Sequence, residues 1–129
     1  MKKSRRRPPK AQTRLTSEQM AIISAQAAQD LKAQEIVILE VGELLNYSDY
    51  FVIASARSTR QAQSIADNVQ RTITASGERI LGVEGQRDGN WILIDAGEVI
   101  VHVFYHPVRE FYELEKLWGD AKRLSWPGP

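Results

Sequence analysis

The stretch Val99-Ile100-Val101-His102-Val103-Phe104-Tyr105 constrains the fold more than any other part of this 129-residue chain. Successive side chains of a strand point to opposite faces, and this run is apolar on both faces apart from His102. Such a strand leaves water on both sides only at the centre of a sheet that is covered twice. The rest of the chain must therefore supply flanking strands and layers of helix.

It does so in a legible order. Thr16-Ser17-Glu18-Gln19 has the form of a capping box, and Met20, Ile23, Ala27 and Leu31 follow at helical spacing, which predicts a first helix. Ile36 to Val41 is a β-branched run of strand length ended by Gly42, and Tyr50 to Ser55 is a second. Ser58-Thr59-Arg60-Gln61 repeats the capping-box pattern. Ala62, Ile65, Ala66, Val69 and Ile73 then mark the clearest amphipathic helix, with Gly77 placed to end it. Three strands follow at Arg79–Glu84, Trp91–Asp95 and Val99–Tyr105, joined by short turn-rich segments that favour antiparallel hairpins. Pro107 suits the first turn of a last helix, with Phe111, Leu114, Leu117 and Trp118 on its apolar stripe and an end near Lys122 or Arg123. The order αββαβββα predicts an α/β (α+β) single domain with a mixed five-stranded sheet flanked by helices. The strand–helix–strand unit should be a parallel crossover and the hairpins antiparallel.

Charge divides the chain. Residues 1–16 carry Lys2, Lys3, Arg5, Arg6, Arg7, Lys10 and Arg14 and no acid, a charge of +7, whereas from residue 17 onward ten Lys or Arg face sixteen Asp or Glu, a charge of −6. The net charge of +1 describes neither part. Residues 1–16 read as a disordered basic tail, 17–124 as the domain and 125–129, which include Pro127 and Pro129, as a C-terminal tail. With no cysteine, disulfides, thiol nucleophiles and thiolate metal sites are excluded. No apolar run has membrane-spanning length, and the basic start meets Pro8 and Pro9 in place of the apolar stretch of a secretory signal. An Arg-rich organelle transit peptide is the weaker reading of that start, since the proline pair interrupts a helix.

Catalytic chemistry finds little support. His102 and His106 are four apart on what reads as a strand end, about 13 Å along the chain and too far to share one metal. Gly82-Val83-Glu84-Gly85 has the wrong spacing for a dinucleotide loop. Ser55, His102 and Asp95 make a catalytic set only on paper, without a strained nucleophile turn. His102 reads instead as a packed histidine hydrogen-bonded in the sheet. Asp95 and Glu98 suit either hairpin chemistry on a solvated rim or a contact, and Trp91 and Trp118 suit either a core or the buried centre of an interface. Tyr112, Glu113 and Glu115 fall off the apolar stripe of the last helix, giving an aromatic and acidic outer surface. An acidic body repels phosphate and suits a basic protein.

These residues resemble a known family. Ser48 to Ala54, Ser58-Thr59-Arg60-Gln61, Ser64 to Asp67, Val83-Glu84-Gly85, Trp91 to Phe104 and Tyr112 to Trp118 are similar, in order over residues 18–122, to the ribosomal silencing factors, also called Iojap proteins. The resemblance implies a nucleotidyltransferase-like fold without that superfamily's catalytic carboxylate pair. It implies a non-enzymatic cytoplasmic factor with no cofactor and no metal. Such a factor binds the large ribosomal subunit through its protein L-fourteen, blocks joining of the small subunit and represses translation when nutrients are scarce. Carried onto this chain, it assigns the partner-binding surface to Trp91, Asp95, Glu98, Tyr112, Glu115 and Trp118. Two departures stand out: Ala56 occupies a position where the family usually has glycine, and the basic tail lies outside the shared pattern.

Arg5, Arg6, Arg7, Lys10 and Arg14 of that tail suit an accessory contact to ribosomal RNA. The alternative reading is an RNA-binding protein acting mainly through the tail, and a third is a degenerate nucleotidyltransferase using Asp95 or Asp49. An apolar patch near Trp118 could also serve a homodimer of the free protein.

Overall fold

The computed structural model describes residues 15–112, 119 and 121–127, with backbone alone for residues 110–112. Helix α1 (Ser17–Asp30) starts at Thr16, whose side chain accepts from the Gln19 amide at 3.0 Å while Gln19 Oε1 accepts from the Thr16 amide at 2.9 Å. The capping box is thus complete, and two N–H groups that the first turn cannot pair internally are satisfied. The second cap is half of one. Ser58 accepts from the Gln61 amide at the start of α2 (Thr59–Ala75), but the Gln61 side chain accepts from Arg57 N and donates to the Leu31 carbonyl, tying the end of α1 to the start of α2.

The strands are β1 (Gln34–Glu40), β2 (Tyr50–Ala56), β3 (Gly82–Glu84), β4 (Trp91–Asp95), β5 (Val99–Tyr105) and β6 (Lys122–Arg123), in one sheet of order β3-β4-β5-β2-β1-β6. β5 sits near the centre, parallel to β2 and antiparallel to β4. The expected parallel crossover exists but passes over two strands, β5 and β4. α2 leads to β3 at the far edge, and the β3-β4-β5 meander returns β5 to pair with β2. The sheet has six strands instead of five. Lys122 and Arg123, expected at a fraying helix end, pair with Glu40 and Leu39 as β6. The Leu124 amide donates to the Ile38 carbonyl just beyond, and Trp126, expected in the C-terminal tail, packs against the core.

Two apolar clusters lie on opposite faces of the sheet. One joins α1 and α2 to Val52, Ile92, Ile94, Val99, Val101 and Val103. The other, on the side of α3 (His106–Tyr112), gathers Leu39, Val41, Phe51, Ile53, Ile100 and Phe104, with Val108 of the helix against it. The stripe expected on α2 is buried throughout. On α1 the expected stripe is corrected: Ile23 is half-buried, and the buried face runs through Met20, Ala21, Ser24, Ala25, Ala27 and Ala28. Alanines let the two helices sit close, and Asn68 Nδ2 bridges them to the Ala27 carbonyl at 2.9 Å. Among the described residues no helix is long and apolar enough to cross a membrane.

The loop between β3 and β4 depends on one glycine. Gly85 has φ +81°, and a Cβ there would collide with the carbonyl oxygen of Trp91. Gly85→Ala is therefore expected to cost more than about 2 kcal/mol in urea unfolding. Gly82→Ala, where a Cβ meets nothing within 4 Å, should stay within about 0.5 kcal/mol of wild type. Equal losses in the two would show that the close approach at Gly85 is not what holds this loop.

Candidate partner-binding surface

Trp91, Leu93 and Asp95 alternate with the buried Ile92 and Ile94 along β4, which places them on the α3 side of the sheet. Trp91 and Asp95 stand four residues apart, about 13 Å along the strand. Trp91 is half-buried. Its ring stacks on Phe104, its cross-strand partner, with centroids 4.9 Å apart at 30°. The indole Nε1–H donates to His102 Nδ1 at 3.1 Å. His102 in turn meets Phe51 edge-on at 4.7 Å. The packed, hydrogen-bonded histidine expected from sequence is what β5 carries.

The loop that delivers Trp91 is clamped to α2 by side-chain amides. Gln63 Nε2 donates to the carbonyls of Gln86 and Arg87 at 3.0 and 2.8 Å, and Gln86 Nε2 returns a bond to the Gln63 carbonyl. At the other end of β4 the Asp95 carboxylate accepts from the Gly97 amide at 2.8 Å, closing the hairpin turn, so hairpin chemistry accounts for one of its oxygens. Glu98 follows in that turn. Its carbonyl accepts from Asp49 N, Tyr50 N and the buried Ser48 hydroxyl, stitching the β1–β2 loop to the hairpin.

Beside this end of the sheet lies a cleft of about 320 Å³ lined by residues that include Ser17, Glu40, Glu43, Asp49, Tyr50 and Lys122. Burial, then the carboxylates of Glu18, Glu40 and Asp49, push the Tyr50 phenol above its ordinary range. No sequence pattern singles out this cleft. Its residues come from four separate stretches: the pairing of β1 with β2 and β6 assembles three, and α1 supplies Ser17.

The base of α3 is fixed by Arg109, 5% exposed. Its Nη1 donates to the Ser55 hydroxyl and to the Glu35 carbonyl, each at 2.7 Å. Glu35 holds φ +51° at a bulge in β1, a conformation that non-glycine residues rarely adopt. Nothing in the sequence signals this anchor, because an arginine in a first helical turn reads as solvated.

Tyr112, at the end of the described part of α3, is placed by its backbone on the helix that Arg109 anchors. Glu115, Trp118 and the outer face expected around Glu113 lie outside the described residues, as do Arg5, Arg6, Arg7, Lys10 and Arg14. The structure thus places Trp91 and Asp95 on one face of β4 at opposite ends of the strand, Trp91 at the end from which α3 starts and Glu98 in the turn beyond Asp95.

The paper triad of Ser55, His102 and Asp95 is not assembled, since the three bond Arg109, Trp91 and Gly97 respectively. Among the described residues no group of three His, Asp or Glu is placed to hold a metal. His106 opens α3 instead of ending a strand, with Nδ1 3.5 Å from Glu35 Oε1.

Burial lowers the His102 pKa from 6.5 to about 4. Between those values the unfolded chain binds a proton that the folded one does not, so stability falls as pH drops from 6.5 towards 4. The loss attributable to this residue is about 3 kcal/mol. Urea midpoints across that window should fall more steeply for wild type than for His102→Phe; parallel curves would contradict the buried neutral ring. Arg109→Met, which strands the Ser55 hydroxyl and the Glu35 carbonyl, should cost about 2–4 kcal/mol in the same assay at pH 7.

Comparison with known proteins gives one consistent picture. Residues 14–128 match the family model described as "Ribosomal silencing factor during starvation". The chain is 34% identical to the ribosomal silencing factor of Halalkalibacterium halodurans, over 88% of this chain and 97% of that protein. It is 38% identical to that of Bacillus subtilis, over 77% and 84%. A crystal structure of a Chromobacterium violaceum protein superposes with a TM-score of 0.80 at 31% identity, covering 89% of this chain and 95% of that one.

Proposed function

The chain belongs to the ribosomal silencing factor family, and on that premise we propose that it represses translation by binding the large ribosomal subunit through protein L-fourteen and sterically keeping the small subunit from joining. The observation that carries this reading is the half-buried Trp91, held on a sheet face whose far end carries Asp95. A rigid aromatic anchor that shares a face with an acid suits a basic protein, with the aromatic supplying affinity and the charge supplying orientation. The family resemblance adds Tyr112, Glu115 and Trp118 to the contact set, the last two outside the described residues. Nothing in the reading asks for a cofactor, a metal or a catalytic step.

The folded body that begins at Leu15 is the specific module, and the basic residues before it assist. Cations on a chain end raise the encounter rate with RNA without reading it. The junction matters for any truncation. The Leu15 amide donates to the buried Glu78 carboxylate at 3.1 Å, and Thr16 caps α1, so both belong to the folded body. Residues 2–14 hold all seven cations of the tail and can be removed without touching either.

Sedimentation of mixed subunits tests the proposal. Saturating protein should deplete joined ribosomes and co-migrate with large subunits, and Trp91→Ala should weaken that binding by about tenfold or more, the usual effect of removing a central aromatic anchor. Undiminished joining at saturation would overturn the proposal. Deleting residues 2–14 should keep binding and flatten its salt dependence, by about 0.7–0.9 in log–log slope for each phosphate that is no longer neutralised. Complete loss of binding with that deletion would instead favour an RNA binder acting through the tail.

A further inference from the structure

We propose that His102 is a positioning residue that fixes the indole of Trp91 for partner binding; the inference rests on Trp91 being a contact residue. His102 occupies the centre of β5, 4% exposed, directly across from Leu93 and diagonal to Trp91. Phe51 stands edge-on to it at 4.7 Å, and Phe104 lies 6.3 Å away on the same face. In such surroundings an apolar side chain would be less costly. A buried imidazole loses its hydration, and Nε2 has no hydrogen-bond partner among the described residues.

What the imidazole supplies is the acceptor Nδ1, 3.1 Å from Trp91 Nε1. An indole N–H can only donate, so Nδ1 must be unprotonated and the ring proton must sit on Nε2. The bond and the stacking on Phe104 constrain different freedoms. Stacking sets the tilt of the indole and permits a flip that exchanges its two edges; the hydrogen bond selects one edge to face inward. The other edge is thereby presented outward in a single orientation. An anchor ordered before binding spares the ordering cost that a freely rotating side chain incurs on association.

The test compares His102→Phe, His102→Leu and His102→Asn in the full chain. Phenylalanine and leucine remove the acceptor with different bulk, so one serves if the other fails to fold. Asparagine returns an acceptor oxygen near the place of Nδ1. Solvent exchange of the Trp91 indole proton by NMR, assigned through Trp91→Phe, reads positioning directly, and sedimentation with large subunits reads its consequence. Both acceptor-free variants should expose the indole proton and weaken binding about three- to tenfold, and asparagine should restore protection and affinity together. An indole proton that stays protected without the acceptor would overturn the inference. So would wild-type binding by the acceptor-free variants when Trp91→Ala binds weakly. If Trp91→Ala itself binds like wild type, the contact reading fails and the inference falls with it.

Discussion

β5 leaves water on both faces at once, and the arrangement of the molecule follows from that. Val99, Val101 and Val103 enter the cluster beneath α1 and α2, while Ile100, His102 and Phe104 enter the cluster on the α3 side. At about 25 cal/mol per Å² of apolar surface removed from water, a strand that is apolar on both faces gains most by being central. Once β5 is central, β4 can reach it through a three-residue turn and β2 lies on its other side in parallel. The α3 face then has to be covered, which fixes where the final helix starts and why Arg109 is buried beneath it.

The surface proposed for recognition is a by-product of this frame. The register of the β4–β5 hairpin puts Trp91 opposite Phe104 and Leu93 opposite His102, so the indole that needs an acceptor lies diagonal to the one polar side chain on that face of β5. The same hairpin ends in Asp95 and Glu98, whose turn is tied to the start of β2 through the Glu98 carbonyl. Trp91 and Asp95 are therefore held by strand pairing, and Glu98 by a turn whose backbone is bonded to the start of β2. The −6 charge from residue 17 onward and the +7 of residues 1–16 separate along the chain, and they suit different partners.

Sequence periodicity finds the strands and helices whose burial is one-sided or complete, because those leave a pattern: α2, β4 and β5 match their expected residues closely. It fails where burial depends on small residues or on distant pairing. The inner face of α1 is mostly alanine, which contributes little to a hydrophobic stripe, so the pattern favours Ile23 over the residues that are buried. β6 exists only because the edge of β1 accepts it, and nothing in Lys122-Arg123 signals a strand. Among the candidate site residues, type and hairpin position leave Trp91 and Asp95 open between core or turn and contact, and the family resemblance alone assigns them to the surface. Arg109 and the cleft near Tyr50 are not legible, since each is assembled from stretches far apart in the chain. Ala56, where glycine is usual in the resembling family, is fully buried at the end of β2 and needs no special backbone conformation.

The central claim is that the Trp91 face meets a protein of the large subunit. A photo-activated benzophenone at Asn90, exposed and adjacent to Trp91, tests it directly on purified large subunits. The expected result is a cross-link to protein L-fourteen that free wild-type protein competes away. Cross-linking to ribosomal RNA alone, with co-sedimentation intact, would contradict it.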